Sequence, residues 1–351
     1  MTTPPGETQH AAVNQGGHGA IKPIGDGSIL AKSTPRDSIE SEFYARIRQG
    51  EYPLMTPVVP TSYTAQQVRD LQPRLTAEQA ASLNDQTHVY FENMAQGDMK
   101  KLDAKVGDKT SSRRELTEQH GMSSAAAAWK EMKLSVVDWA TKSAERGWRV
   151  VGGDDAPDSR LKAGRESMET LRQFSDDPQV WKEVIGKMEG IRNAAEQSDL
   201  GFIASSVFSV QGTRDGNQVV DAKLIDFAHV IDANHPLTQT TDVTAVDSRQ
   251  NSPEQSTSTS RPNAGTEGAT AGREPSQKAV DLKDKYRDKF LAGMDNLIKA
   301  AETVRAEKEQ ANVAGAANMR GVGATVTAGT SASATPVAVA STSSQQVVPR
   351  R

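Results

Sequence analysis

Asp226 has the setting in this chain that most clearly suggests chemistry. It ends an apolar run, KLID, and Phe-Ala-His follows it. An earlier apolar run carries two hydroxyls, Ser205 and Ser206, and a turn rich in Gly, Asp and Asn separates the two runs, which predicts a β-hairpin. A carboxylate at the mouth of such a hairpin can hold Mg²⁺ against a nucleotide phosphate. From these residues alone, a simple turn aspartate explains the pattern about equally well.

A second pair of charged residues lies near the N-terminus. Lys32 ends a predicted strand, 28–31, and Glu42 lies on a predicted helix that begins at Thr34-Pro35 and ends at Gly50. Kinase-like folds use a strand lysine paired with a helix glutamate to position the lysine on the nucleotide phosphates. Taken alone, a solvated lysine and a surface glutamate are the commoner explanation.

A third group of charged residues is the LDAKVG segment. Asp103 and Lys105 fall on the same face of a predicted strand, 101–106, because side chains alternate along a strand. A carboxylate beside an ammonium can orient a substrate hydroxyl and neutralise a phosphoryl group in transfer. The alternative is an ordinary surface ion pair.

Basic residues are concentrated after Asp103. Arg149 lies in an apolar context, WRVVGG, and Lys109 and Arg113 precede an Ala-rich predicted helix, 123–142. Such a cluster could bind a multiply phosphorylated substrate. A solvated helix face is the alternative for about half of these residues.

The composition limits the class of protein. The 351 residues carry a net charge of −4, so the chain as a whole does not suggest nucleic-acid binding. The absence of cysteine excludes disulfides, thiolate catalysis and cysteine metal sites. No apolar run is long enough to span a bilayer, and the N-terminus lacks the features of a secretory signal.

The chain divides into a predicted domain, 11–310, and polar segments. Residues 1–10, an insertion at about 237–280 and a low-complexity tail at 311–351 are predicted to be disordered, because they contain few large apolar groups. An amphipathic helix predicted over 282–306 follows the insertion and needs a core to pack on, so the insertion lies within one domain. The domain is expected to be monomeric, and the polar segments could bind a protein partner.

The order of elements predicts an α+β fold with two lobes. A hairpin around Gly25-Asp26-Gly27 opens a small β-rich lobe, and a larger mixed lobe follows, with a cleft between the two. The further predicted elements are strands at 88–92, 149–152, 202–210 and 219–227 and helices at 76–84, 167–174 and 177–196.

These motifs, in this order, resemble the inositol polyphosphate kinase family, as a divergent member of bacterial type. The matching segments are GGHG, SILAK, EFYARI, YFENM, MKKLDAKVG, SSVF, IDFA and AGMDNLIKA. One departure is Met99, where the family signature has proline. The resemblance implies a kinase-like fold related to protein kinases and ATP-grasp enzymes, with ATP and Mg²⁺ as cofactors and an inositol phosphate as substrate.

The resemblance also implies a role for each site residue. Lys32, with Glu42, would bind the ATP phosphates, and the backbone from Glu92 to Met94 would hold adenine. Asp103 would be the catalytic carboxylate and Lys105 would bind the transferring or substrate phosphate. The remaining implied assignments are Asp226 for Mg²⁺ with Ser206 near it, and Arg149 matches the family's arginine before a Gly-containing turn. The substrate-binding roles of Lys109, Arg113 and Arg149 are predicted from the basic cluster itself.

Two alternatives to an active inositol phosphate kinase remain. One is a catalytically inactive kinase-fold module that binds inositol phosphates or a partner protein. The other shares only the fold and acts on a protein or lipid. The expected location is cytoplasmic, and the polar segments would also suit a secreted bacterial effector that acts in a host cell.

Overall fold

Antiparallel sheets organise the described part of the chain. The computed structural model describes residues 21–34, 38–107, 143–157, 160–234 and 277–323. One four-stranded sheet has the order β1-β2-β4-β3, a second has the order β6-β5-β8-β9, and β7 pairs with β10. With helices packed around these sheets, the predicted α+β class and its two lobes are confirmed.

The first sheet forms the small lobe. Its strands are β1 (Ile21–Ile24), β2 (Ile29–Ser33), β3 (Ser62–Tyr63) and β4 (His88–Glu92). The predicted hairpin is confirmed, since β1 pairs with β2 across a turn in which both glycines have positive φ. A left-handed backbone at two positions of a short turn explains the need for glycine there.

The helices of the small lobe begin at capping side chains. Helix α1 (Ile39–Arg48) has Ser38 as its N-cap. The prediction that Thr34 caps this helix was therefore wrong by four residues, and Pro35 lies outside the described residues. Threonine–glutamine capping boxes start two short helices, of which the first was not predicted: α2 (Ala65–Leu71) and α3 (Ala77–Ser82).

The second sheet forms the floor of the larger lobe. Its strands are β5 (Asp98–Val106), β6 (Trp148–Gly153), β8 (Ser206–Arg214) and β9 (Asn217–Ile225), and beside it lies the pair β7 (Gly201–Phe202) and β10 (Val230–Ile231). The strand predicted over 202–210 is interrupted because Ala204 has a φ of +58°. The strand predicted to end at Phe227 ends at Ile225, because Asp226 has a φ of +64°.

Helices cover the far face of this second sheet. They are α4 (Ser143–Arg146), α5 (Arg160–Arg165), α6 (Ser167–Phe174), α7 (Pro178–Gln197) and α8 (Gln277–Gly323). Helix α6 lies where it was predicted, and α7 differs from its prediction by one residue at each end. None of the helices in the described ranges combines the length and apolar character that a bilayer crossing requires.

Helix α8 supplies one side of the main core. The apolar stripe predicted from the sequence is buried along its length, from Tyr286 to Val304. The helix continues to Gly323, so residues 311–323 of the predicted tail are helical. The helix also begins at Gln277, so the last residues of the insertion predicted at about 237–280 are helical and that prediction was wrong there. Residues 1–10, 237–276 and 324–351, to which the other predictions of disorder apply, lie outside the described residues. The described residues up to Lys308 belong to one compact unit.

Two valines of α8 provide a matched test of this packing. Val304 is fully buried and Val313 is 71% exposed. Val304→Ala is expected to lower the free energy of unfolding by about 1.5–3 kcal/mol, because it removes two buried methyl groups and leaves a cavity. Val313→Ala changes helix propensity equally but should cost less than about 0.5 kcal/mol. Urea unfolding of both variants measures the difference, and equal losses would show that α8 does not pack on the core as described.

Candidate active site

A cleft with apolar walls lies between the two four-stranded sheets. Ile21, Leu30 and Phe91 line it from the small lobe, and Phe208 and Ile225 line it from the larger lobe. Each of these side chains projects from the sheet surface that faces the other lobe, because residues two apart on a strand share a face. Two opposed apolar walls form a slot that suits a planar heterocyclic ring.

The segment that joins the two sheets forms the back of this cleft. Residues 92–95 all line it, which places the predicted hinge residues Glu92 and Met94 at the cleft wall. The segment is held in place because the Asn93 N–H donates to the Ser28 carbonyl at 2.8 Å and the Arg214 guanidinium donates to the Met94 carbonyl. Among the described residues, no acceptor pairs with the Met94 N–H. That donor is available to a ring nitrogen.

A buried lysine lies between two carboxylates at the other end of the cleft. Lys32 Nζ is 2.8 Å from Glu40 Oε1 and 2.9 Å from Asp226 Oδ1. Burial alone would lower the pKa of Lys32, but the charges of Asp226 and Glu40 outweigh that effect and raise the pKa above its usual value. Lys32 is therefore a permanent cation in the cleft.

The helix carboxylate that pairs with Lys32 is Glu40, so the prediction of Glu42 for this role was wrong. The two glutamates lie about 200° apart around α1, since each residue turns an α-helix by about 100°. Glu40 is buried and Glu42 is half-buried. Residues three, four and seven positions after Glu40 are Phe43, Tyr44 and Ile47, which form the buried stripe of α1. That spacing is visible in the sequence and could have identified Glu40.

Asp103, Lys105 and Ser206 lie together on the sheet surface that faces the cleft. Lys105 lies opposite Ser206 on β8, and Asp103 lies two residues before Lys105 on the same face of β5. Asp103 Oδ1 and Ser206 Oγ are both buried and make no hydrogen bond of normal geometry among the described residues, although the Ser206 hydroxyl is near enough to Asp103 to lower the pKa of its carboxyl group. Buried polar atoms without partners carry a free-energy cost, and they are commonly found where a ligand supplies the missing contact.

The carboxyl group of Asp103 has a raised pKa. Burial is the largest cause, the nearby charge of Asp226 is the second, and Lys105 opposes both, so that the pKa is raised to about 6. The effect of Asp226 means that the two carboxylates interact across the cleft. Asp103 is mainly ionised at neutral pH and is able to accept a proton only a little below it.

The backbone around these residues is strained and fixed by hydrogen bonds. Ala204 and Asp226 both have positive φ, and neither is glycine. Lys105 Nζ donates to the Ala204 carbonyl at 3.0 Å, and Ser205 Oγ donates to the Asp226 carbonyl at 3.0 Å. Ser205 thus fixes the main chain of Asp226, while its neighbour Ser206 faces the side of Asp103.

The predicted substrate cations divide into two groups. Arg149 is buried on β6 and lies directly opposite Lys105, so the two cations are adjacent on the sheet. Lys109 and Arg113 lie outside the described residues.

Comparison with known proteins gives one match to a family model. Residues 101–256 match the family model described as inositol polyphosphate kinase. That segment is 156 of the 351 residues, so the likeness to the inositol polyphosphate kinase family is shown for this part of the chain. The matched segment contains Asp103, Lys105, Ser206 and Asp226, whereas Lys32 and Glu40 precede it.

One solved structure with a similar chain is inositol phosphate multikinase Ipk2 from S. cerevisiae, in complex with ADP and Mn²⁺. The two chains are 14% identical with a TM-score of 0.44, and the match covers 78% of this chain and 98% of the yeast chain. That similarity is too distant to assign roles to individual residues. No curated protein sequence gives a significant match.

The described residues are compatible with a metal held jointly with a nucleotide. They contain no group of three Asp, Glu or His side chains that could form an all-protein metal site. Mg²⁺ usually needs only one or two carboxylates, because substrate phosphates and water complete its octahedral coordination. The Asp226 carboxylate, which is 22% exposed and lines the cleft, fits that requirement.

Replacing Asp103 with asparagine is expected to stabilise the metal-free protein above pH 6. The pKa of the Asp103 carboxyl group is about 6 in the folded protein, and the usual value is 3.8. The protonated carboxyl group therefore contributes stability that is fully present below pH 4. That contribution is lost as the pH rises through 6. At pH 8 the asparagine variant should be more stable by up to about 3 kcal/mol.

Urea unfolding in the presence of a chelator, at intervals from pH 4 to pH 8, measures this effect. Asp98→Asn on the same strand is the control, because Asp98 is exposed to solvent. A difference between wild type and Asp103→Asn that does not grow with pH would contradict the interpretation.

Proposed function

We propose that this chain transfers the γ-phosphoryl group of ATP to a hydroxyl of an inositol phosphate, with Mg²⁺ as cofactor. The observation that carries the proposal is the proximity of four charged side chains. Lys32 and Asp226 line the cleft, and Asp103 interacts with the charges of Asp226, Lys105 and Lys32, in a chain whose residues 101–256 match this family. Phosphoryl transfer depends on positioned positive charge, a metal ligand and a carboxylate near the attacking hydroxyl. These four side chains can supply those functions.

The apolar slot and the hinge suit the adenine ring of ATP. Leu30 and Ile225 would contact the two faces of the ring, and the Met94 N–H would donate to a ring nitrogen. The phosphates would then extend toward Lys32, at the charged end of the cleft. Lys32 keeps its charge at any physiological pH, so its attraction for the phosphates would persist throughout turnover.

Asp226 would hold Mg²⁺, with the Ser206 hydroxyl near it. When bound, the metal supplies positive charge to the phosphate oxygens. The backbone of Asp226 is fixed by Ser205, so its carboxylate is held at the cleft before any ligand arrives. Such preorganisation lowers the cost of reorganising the site during the reaction.

Asp103 would orient the attacking hydroxyl and accept its proton. As the hydroxyl oxygen bonds to the γ-phosphorus, the bond from phosphorus to the β-phosphate oxygen breaks and ADP leaves. Lys105 would neutralise the oxygens of the transferring group, and Arg149 beside it would bind another phosphate of the substrate. Lys109 and Arg113 are proposed to extend this cationic surface. The monomeric state and the location of the protein stay predictions.

Asp226→Asn is expected to reduce phosphoryl transfer by at least 100-fold, because it removes the proposed metal ligand. Asparagine is preferred to alanine for this test, since asparagine tolerates the φ of +64° at this position. Asp221→Asn is the matched control. Asp221 lies on β9, five residues and about 17 Å before Asp226 by strand geometry, and pairs with Lys187 instead.

The assay combines purified protein, Mg-ATP and a panel of inositol phosphates and separates the products by their phosphate content. The wild type and Asp221→Asn should yield a more highly phosphorylated product, and Asp226→Asn should not. Binding of inositol phosphates by the wild type without turnover on any of them would favour the inactive binding module. Turnover that survives in Asp226→Asn would contradict the proposed role of Asp226.

A further inference from the structure

A second buried carboxylate, Asp232, lies outside the cleft and accepts several hydrogen bonds. Its Oδ2 atom is 2.9 Å from Arg46 Nη1 and 2.5 Å from the Tyr52 hydroxyl, and its Oδ1 atom accepts from the Asn234 N–H at 2.9 Å. The residue as a whole is 8% exposed. A carboxylate with this many donors is held in one orientation, because losing any one of them would leave a buried charge less satisfied.

Two of the donors, Arg46 and Tyr52, come from a different part of the chain. Arg46 lies on the last turn of α1, and Tyr52 follows that helix. Asp232 directly follows β10 and is six residues after Asp226. The ion pair and the tyrosine hydrogen bond therefore connect α1 to the segment that carries the proposed metal ligand.

The same helix contacts the beginning of that segment through aromatic rings. The Phe227 ring lies 4.3 Å from the Phe43 ring and 5.3 Å from the Tyr44 ring, measured between centroids. The Tyr52 ring stacks on Phe43 at 5.5 Å. The two ends of the segment 227–232, Phe227 and Asp232, thus both contact the C-terminal half of α1, and these two contacts restrain the rotation of the helix.

The rotation of α1 matters because Glu40 lies on the same helix. Glu40 and Arg46 are six residues apart, which corresponds to about 9 Å along the axis. A hydrogen bond to Lys32 tolerates only a few tenths of an ångström before it weakens. A small rotation of α1 would separate Glu40 from Lys32, and Lys32 would then turn toward Asp226 alone.

We propose that Asp232 is a positioning residue for phosphoryl transfer. It holds α1 in the orientation in which Glu40 shares Lys32 with Asp226. This inference rests on the proposed function, since it assigns Asp232 an effect on the reaction through Glu40 and Lys32. A purely structural ion pair would affect stability but not the orientation of Lys32.

The decisive variant is Asp232→Asn, which keeps the shape of the side chain and removes its charge. It should lower kcat at least fivefold and increase amide hydrogen exchange in α1, with exchange in α8 unchanged. The first control is Glu51→Gln, because Glu51 is the solvent-exposed partner of the same arginine, Arg46. The second is Asp199→Asn, which weakens an ion pair with the buried Lys283 away from the cleft. Both controls should leave kcat within about twofold of wild type.

A double-mutant cycle with Glu40→Gln separates positioning from general destabilisation. If Asp232 acts through Glu40, then Asp232→Asn should have little further effect on kcat in the Glu40→Gln background. Fully additive effects on kcat would overturn the proposal. Unchanged hydrogen exchange in α1 of Asp232→Asn would overturn it as well, whether or not the wild type is active. A wild type that shows no turnover, with α1 exchange still increased by Asp232→Asn, would refute the proposed function and leave the attachment of α1 supported.

Discussion

The buried ammonium group of Lys32 is the constraint on which the rest of the site depends. Removing a lysine from water costs several kcal/mol, and only close carboxylates with good geometry can offset that cost. Here the two carboxylates come from elements distant in sequence: Glu40 from α1 and Asp226 from the segment after β9. The chain must therefore hold β2, α1 and the end of β9 within hydrogen-bond distance of one point. The aromatic contacts of Phe227 and the ion pair of Asp232 serve that requirement directly.

The same arrangement explains why the pKa of the Asp103 carboxyl group lies close to neutral pH. Asp226 is shared with Lys32, so its negative charge is only partly compensated on the side that faces Asp103. That residual charge, added to burial, raises the pKa of Asp103. A cation bound at Asp226 would reduce this effect and favour the ionised form of Asp103. Ligand binding at one carboxylate would thus adjust the proton affinity of the other.

Local patterns predicted much of this structure, and long-range contacts account for what they missed. The turn at Gly25-Asp26-Gly27, the alternation of Asp103 with Lys105 and the stripe of α8 depend on neighbours in sequence, and all three lie as predicted. The left-handed backbone of Asp226 does not follow from its neighbours, because non-glycine residues adopt it only where tertiary contacts compensate for the strain. Glu40 was missed although its spacing from Ile47 is visible, since the prediction followed a motif rather than the helical period.

Asp226 has two partners in the proposed reaction, Lys32 and a metal ion, and its geometry is compatible with binding both. In the structure it pairs with Lys32, and in the proposed reaction it also holds a metal ion. Its main chain does not need to move for this change, because Ser205 holds its carbonyl and β9 ends immediately before it. Only the side-chain carboxylate of Asp226 has to rotate, away from Lys32 and toward the metal ion. Lys32 stays neutralised meanwhile, since Glu40 remains on its other side. Glu40 on α1 is therefore what allows Asp226 to bind the metal ion. Any element that fixes α1 contributes to the metal site without contacting the metal.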